Sequence, residues 1–154
     1  MKIALQVISL GCRLFLAWLL IYASYDKVWE PAGFAASMAR YELLPLWAVN
    51  GASVLLAWLE LLVGTLLLVG LWVRAAALWA AGLMALFAGI MIYAGIIGAG
   101  YDCGCFPGGA GHTAGYGAAL RDLGFMLPAL WLFFLPSRWL ALDGLRPGQA
   151  ARLR

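Results

Sequence analysis

Charged side chains are scarce in this sequence. Its 154 residues include ten lysines and arginines and seven aspartates and glutamates, together 11%, whereas 66% of the residues are apolar. The mean hydropathy is +0.94. A soluble domain of this size could not cover its surface with so few charges, so the composition excludes that class. The net charge of +3 is spread along the chain without a basic cluster, which argues against nucleic acid as a partner.

Long apolar runs take the place of the missing charges. Four can be counted, at about residues 5–25, 51–71, 75–98 and 118–135. Each has the length that a helix needs to cross a ~30 Å hydrocarbon core at ~1.5 Å per residue. Lipid cannot satisfy backbone polar groups, so we expect all four to be helices. The sequence predicts an all-α, integral membrane four-helix bundle in the lipid bilayer, a single domain over residues 1–154.

The distribution of basic residues predicts the orientation. With four spans, both termini and the turn at 72–74 share one side, and the loops 26–50 and 99–117 lie on the other. The first side carries Lys2, Arg74, Arg138, Arg146, Arg152 and Arg154, whereas the opposite loops carry Lys27 and Arg40. We therefore expect cytoplasmic termini and outward-facing loops. We also expect the first span to be retained, because its apolar run is too long for a cleaved signal.

The first outer loop contains a shorter periodic pattern. Pro31 favours a helix start, and Phe34, Met38, Tyr41 and Leu44 follow it at helical spacing. We expect a short amphipathic helix that lies on the membrane surface. It is either a simple connector or a lid over a site between the helices.

Cysteine is also scarce, with three residues in the chain, and two of them lie in the second outer loop with one glycine between them. Outside the cytoplasm, Cys103 and Cys105 would be prone to oxidation. A disulfide between them would close almost no chain and add little stability, and strained disulfides are more easily reduced. We favour redox exchange over two alternatives. One is an inert pair, and the other is soft-metal binding together with Asp102 and His112.

Two charges lie deep within the apolar runs, where charges usually mark a function or an ion pair. Helix rise, counted from the apparent span ends, places Arg13 and Glu60 at similar depths in neighbouring spans. The sequence therefore predicts an Arg13–Glu60 ion pair. Such a pair would either fix the helix register or leave Glu60 as a proton acceptor or a polar wall for a quinone.

Further charges lie near the outer ends of the spans. Arg121 and Asp122 directly follow the cysteine loop. Arg121 would either favour the thiolate form of a nearby cysteine or pin the loop by binding Asp102 or Asp122. Asp26 and Lys27 end the first apolar run on the same side. They either join this cluster of charges or are ordinary interfacial charges, and we favour the second interpretation.

Short motifs along nearly the whole chain form a recognisable set. They are Arg13, Tyr25-Asp26-Lys27, Arg40-Tyr41-Glu42-Leu43-Leu44-Pro45, Glu60-Leu61-Leu62-Val63-Gly64, Asp102-Cys103-Gly104-Cys105-Phe106 and Arg121-Asp122. Together they resemble MauE, the methylamine utilisation membrane protein family within the DoxX-like superfamily. The resemblance implies a four-helix bundle in the inner (plasma) membrane of a bacterium or archaeon. It further implies disulfide formation in extracytoplasmic proteins beside a thioredoxin-like partner, and DoxX relatives are linked to quinone-dependent oxidation.

The expected function is therefore a membrane thiol–disulfide oxidoreductase, with a quinone as a candidate cofactor. The expected catalytic residues are Asp102, Cys103, Cys105, Arg121 and Asp122. The expected quinone-binding residues are Arg13, Lys27 and Glu60. The alternatives are a soft-metal or metalloid binding or transport protein that uses the same cysteines, and an accessory subunit that only docks an oxidoreductase. Assembly into a homo-oligomer is left open.

Overall fold

A computed structural model of the protein describes residues 2–98 and 115–136, and within these residues it contains five α-helices and no strand. The helices are α1 (Lys2–Trp29), α2 (Pro31–Ala39), α3 (Leu46–Val69), α4 (Val73–Ile96) and α5 (Tyr116–Phe134). All except α2 are long and apolar enough to cross a membrane. The predicted all-α fold with four spans is confirmed, and the chain is a multi-pass membrane protein.

The observed spans differ from the predicted ones mainly around the first loop. Helix α1 continues to Trp29 rather than ending at residue 25. Helix α3 begins at Leu46 rather than at residue 51, directly after Pro45, which occupies the N-cap position with an extended ψ of 143°. Proline cannot donate a backbone hydrogen bond, so it marks this helix start at little cost.

The four spans form a ring in the order α1, α3, α4, α5. Helix α1 packs along α3 and α5, and α4 packs along the same two helices, so α1 and α4 are diagonally opposite. Between α1 and α5, Trp131 Nε1 donates a hydrogen bond of 3.2 Å to Ser9 Oγ. Between the same two helices, the rings of Phe15 and Phe125 meet edge to face, with centroids 5.7 Å apart. This order decides which polar residues of different spans can meet.

The cysteine loop is anchored at two neighbouring points of the bundle. Helix α4 ends at Ile96, and α5 begins at Tyr116. A Cβ placed on Gly95 would lie 3.1 Å from the Tyr116 ring, so the end of α4 and the start of α5 are in contact. We call this the loop end of the bundle, and α1 also finishes there.

Helices α1 and α3 approach each other closely at Gly64. A Cβ at this position would lie 2.9 Å from Ile21 Cγ1 and 3.2 Å from both the Ile21 backbone nitrogen and Leu20 Cβ. Helix contacts in lipid depend on close backbone approach, and a glycine allows it here. The contact also fixes the register between α1 and α3, which determines the partner of Glu60 below.

We expect Gly64→Ala to destabilise the bundle by about 1–3 kcal/mol, since the added methyl group must push α1 away from α3. Unfolding of the purified protein in mixed micelles would measure the change. Gly82→Ala is the matched control, because the position lies within α4 and a Cβ there meets nothing within 4 Å. We expect the control to be neutral or to stabilise by up to about 1 kcal/mol. Equal effects of the two substitutions would contradict the close α1–α3 contact.

The predicted helix of the first loop is present as α2, which packs against α3 and the end of α1. Phe34 and Tyr41 of the predicted apolar face are buried, although Tyr41 follows the helix, and Met38 is half-buried. Leu44 is exposed, which differs from the continuous face that the spacing predicted. Helix α2 therefore covers the ends of two spans with a short apolar face.

Candidate functional site

The predicted site residues divide into two groups. Asp102, Cys103 and Cys105 lie outside the described residues, as does His112. The described residues include the predicted charges Arg13, Lys27, Glu60, Arg121 and Asp122, and all except Arg121 are buried. Cys12, the third cysteine, is half-buried against the hydrophobic core within the first span.

Lys27 and Glu60 form an ion pair inside the bundle. Lys27 Nζ donates hydrogen bonds of 2.8 Å to both Oε1 and Oε2 of Glu60. The two side chains are 3% and 1% exposed. The expectation that Lys27 is an ordinary interfacial charge is therefore wrong. Its flexible methylene stem brings the ammonium group from the end of α1 to a carboxylate on α3, and this pairing lets α1 continue past residue 25.

The predicted Arg13–Glu60 ion pair is also wrong, because Glu60 is bonded to Lys27 instead. The prediction matched depths counted from the apparent span ends, whereas the observed register places Gly64 against Ile21. Glu60 lies about one turn from Gly64 towards the loop end, where Lys27 can reach it. Arg13 lies roughly 12 Å from Ile21 in the opposite direction, by helix rise. Arg13 is nevertheless buried, at 1% exposure.

Two aromatic rings cover the lysine side of the pair. The ammonium nitrogen of Lys27 lies 4.9 Å from the ring centroid of Phe34 and 4.9 Å from that of Phe87. Rings at this distance attract a cation through their electron-rich faces. Phe34 comes from α2 and Phe87 from α4, so the first loop contributes directly to the environment of the charges.

Arg121 and Asp122 form a second pair at the start of α5. Arg121 donates hydrogen bonds of 3.1 Å from Nε and 3.0 Å from Nη2 to Asp122 Oδ1. The Arg121 side chain is 21% exposed, and that of Asp122 is 5% exposed. Of the two predicted carboxylate partners of Arg121, Asp122 is thus confirmed. The pair leaves the second oxygen of Asp122 facing the interior.

A small cavity joins the two ion pairs into one cluster. It has a volume of about 20 Å³, and Lys27, Glu60 and Asp122 line it together with Phe87 and other apolar side chains. We call Lys27, Glu60, Arg121 and Asp122 the charged cluster. It contains two cations and two carboxylates contributed by α1, α3 and α5, so its formal charges balance. Such balance lowers the cost of placing charges in a membrane interior.

A larger apolar cavity lies on the other side of Phe34 and Phe87. Its volume is about 230 Å³, and it is bounded by α2, α3, α4 and the segment that follows α2. The lining includes Phe34, Met38, Tyr41, Phe87 and Met91. It is almost entirely apolar, so it suits a ligand that is dissolved in the membrane.

Sequence reasoning missed the pairing of Lys27 and the contribution of Phe87. A lysine directly after an apolar run, with one carboxylate in the next span, was a usable signal for the pair, since buried charges seek partners. Phe87 gave no signal, because it is one of many apolar residues in α4. Its role depends on the helix order, which a single sequence does not contain.

The fold and the site together define a four-span membrane protein with a balanced cluster of charges buried between its helices. The family model described as "Methylamine utilisation protein MauE" matches residues 5–135. The chain belongs to the MauE family, and the resemblance read from the motifs is confirmed. Comparisons with curated proteins and with solved structures found no match.

Proposed function

We propose that this protein is a membrane thiol–disulfide oxidoreductase whose reactive groups are Cys103 and Cys105. The observation that carries the proposal is a Cys-Gly-Cys sequence in a MauE family chain, in the segment between α4 and α5. In this reaction a thiolate attacks a disulfide sulfur, and the second thiol resolves the mixed disulfide. In the disulfide-forming direction, the two electrons and two protons of the substrate dithiol pass to Cys103 and Cys105. Reoxidation of this pair then passes two electrons and two protons to an acceptor.

The charged cluster supports this assignment by its position. Arg121 and Asp122 lie within the first two turns of α5, and therefore near the point where the cysteine segment rejoins the bundle. A cation near a thiol favours the thiolate, which is the attacking form. Arg121 is only partly buried, so its charge acts close to the surface of the bundle.

A quinone is the electron acceptor that the family resemblance implies, and the described residues fit such a ring. The apolar cavity of about 230 Å³ has aromatic and methionine walls, with Phe34, Phe87 and Met91 among the lining residues. When bound, a quinone supplies an acceptor for two electrons and two protons. Phe34 and Phe87 would pack against the ring and separate it from Lys27, and Lys27 would hold Glu60 in place.

The cellular setting follows from the same proposal. The excess of basic residues on the side of the termini supports a cysteine loop outside the cytoplasm. The proposed membrane is the inner (plasma) membrane of a bacterium or archaeon, as the family resemblance implies. There the partner would be a thioredoxin-like protein, whose exposed cysteines exchange readily with a surface disulfide. A topology assay that finds the cysteine loop in the cytoplasm and the termini outside would overturn this orientation.

The redox potential of the Cys103–Cys105 pair tests the proposed function. We expect a reversible two-electron transition between roughly −270 and −120 mV, the range of dithiols that exchange disulfides. Thiol-specific mass tagging of the full chain in glutathione buffers would measure it. The Cys12→Ala variant serves as the control and should show the same transition. Cysteines that stay reduced, or that react only after unfolding, would contradict the proposal, and stoichiometric binding of a soft metal ion would then support the alternative.

A further inference from the structure

The charged cavity contains an unmatched hydrogen-bond donor and an unmatched acceptor. The ammonium group of Lys27 has three N–H donors, and two of them are used on Glu60. Asp122 uses Oδ1 for Arg121, while Oδ2 is buried and has no hydrogen-bond partner among the described residues. A buried carboxylate oxygen without a partner costs free energy, so the site favours a group that can satisfy it.

The dimensions of the cavity match one water molecule. Its volume is about 20 Å³, whereas a single water needs at least about 10–15 Å³ by the same measure. A buried water also needs two to four polar partners. Lys27, Glu60 and Asp122 all line the cavity, which supplies one donor and two carboxylate acceptors.

We infer that a water molecule binds between Lys27, Glu60 and Asp122 and transfers protons between Asp122 and Glu60. The water accepts the third N–H of Lys27 and donates to Asp122 Oδ2 and to Glu60. For the transfer, Asp122 first takes up at Oδ2 a proton released by oxidation of the cysteine pair, so that Oδ2 then donates to the water. Asp122 gives this proton to the water, the water passes one of its own protons to the Glu60 carboxylate, and Asp122 returns to a carboxylate. The water is regenerated, and no electron moves in this step.

The proposed chemistry requires protons to move from the cysteine segment into the membrane interior, and the water would carry them. This role of the water therefore rests on the proposed function. Oxidation of a dithiol releases two protons in the cysteine segment, whereas reduction of a quinone consumes two protons within the membrane. Arg121 and Asp122 are near the loop end, and Glu60 is almost fully buried on α3. The water would join these positions into one hydrogen-bonded path. The water site itself needs no assumption about the reaction.

The Asp122→Asn variant tests the transfer, with two electron acceptors compared in the same protein. A short-chain ubiquinone takes up protons with its electrons, whereas ferricyanide takes electrons alone. We expect the rate of quinone reduction by the dithiol form to fall at least about tenfold, as for loss of a proton-transfer group. Oxidation by ferricyanide, which takes up no proton, should fall clearly less than quinone reduction. Asp26→Asn is the matched control. It removes a half-buried carboxylate that lies on α1, also at the loop end of the bundle, and that does not line the cavity.

Equal losses with both acceptors, or no loss with either, would overturn the proton-transfer role of Asp122. A wild-type protein that reduces ferricyanide but no quinone would overturn both the transfer and the quinone part of the proposed function. A high-resolution crystal structure of the full chain in lipid decides the water site independently of activity. Density within about 3.2 Å of Lys27 Nζ and Asp122 Oδ2 would support it. A direct Lys27–Asp122 hydrogen bond that closes the cavity would exclude it.

Discussion

Replacement of both Cys103 and Cys105 by serine is expected to abolish thiol–disulfide exchange by this protein. A serine hydroxyl neither ionises near neutral pH nor forms a disulfide, so both the attacking and the resolving group are lost. Loss of a nucleophile typically lowers a rate by on the order of 10³-fold or more. The measurement is oxidation of a reduced thioredoxin-like substrate by the full-length protein in lipid, followed by mass tagging of the substrate thiols.

The single variants separate the two thiols. With one cysteine replaced, the remaining thiol can still form a mixed disulfide but cannot resolve it, so a covalent complex with the substrate should accumulate for at least one variant. Cys12→Ala is the control, since Cys12 is a half-buried residue of the first span and should be dispensable. Activity that persists in the double variant would instead favour the accessory-subunit alternative, in which the chain only docks or stabilises another oxidoreductase.

Hydropathy predicted the four spans because a span is encoded by residues that are consecutive in the sequence. Each crossing requires about twenty apolar residues, and that requirement is written in consecutive positions. The boundaries around the first loop were predicted less well. Lys27 looked like the polar end of a span, yet it is buried against a carboxylate that is 33 residues away in the chain. A pairing at that distance depends on the packing register, which hydropathy does not report.

The charged residues of the site were recognised from the sequence, but their partners were not all assigned correctly. The cost of burying a charge identified Arg13 and Glu60 as significant, and the Arg121–Asp122 pair was one of the alternatives that the sequence left open for Arg121. The predicted partner of Glu60 was wrong because the register between α1 and α3 decides whether Arg13 or Lys27 lies at the depth of Glu60. These two residues are about four helical turns apart on α1. The register is set by the fit of Gly64 against Leu20 and Ile21. Such a fit is a property of three-dimensional packing, which a single sequence does not contain. The redox role of Cys103 and Cys105 remains a prediction from the sequence.

Lys27→Met is expected to destabilise the protein by about 3–5 kcal/mol, because it leaves the buried Glu60 without its partner. Glu60→Leu alone should destabilise for the same reason, as it leaves a buried ammonium group beside Asp122. The double variant should recover most of the loss, since paired buried charges replaced by apolar groups of similar size are often nearly neutral. Unfolding of each variant in mixed micelles supplies the free energies for a double-mutant cycle.

The cycle separates a structural role of the pair from a functional one. Arg74→Met, which removes an exposed cation at the start of α4, controls for the loss of positive charge and should change stability by less than about 0.5 kcal/mol. If the pair serves only to fix the register of α1 and α3, the double variant should fold and also retain quinone reduction. If Glu60 receives protons, the double variant should fold but reduce quinone slowly, while its cysteines still react with ferricyanide. Additive losses of stability in the two single variants would show that Lys27 and Glu60 do not interact, and the ion pair would be rejected.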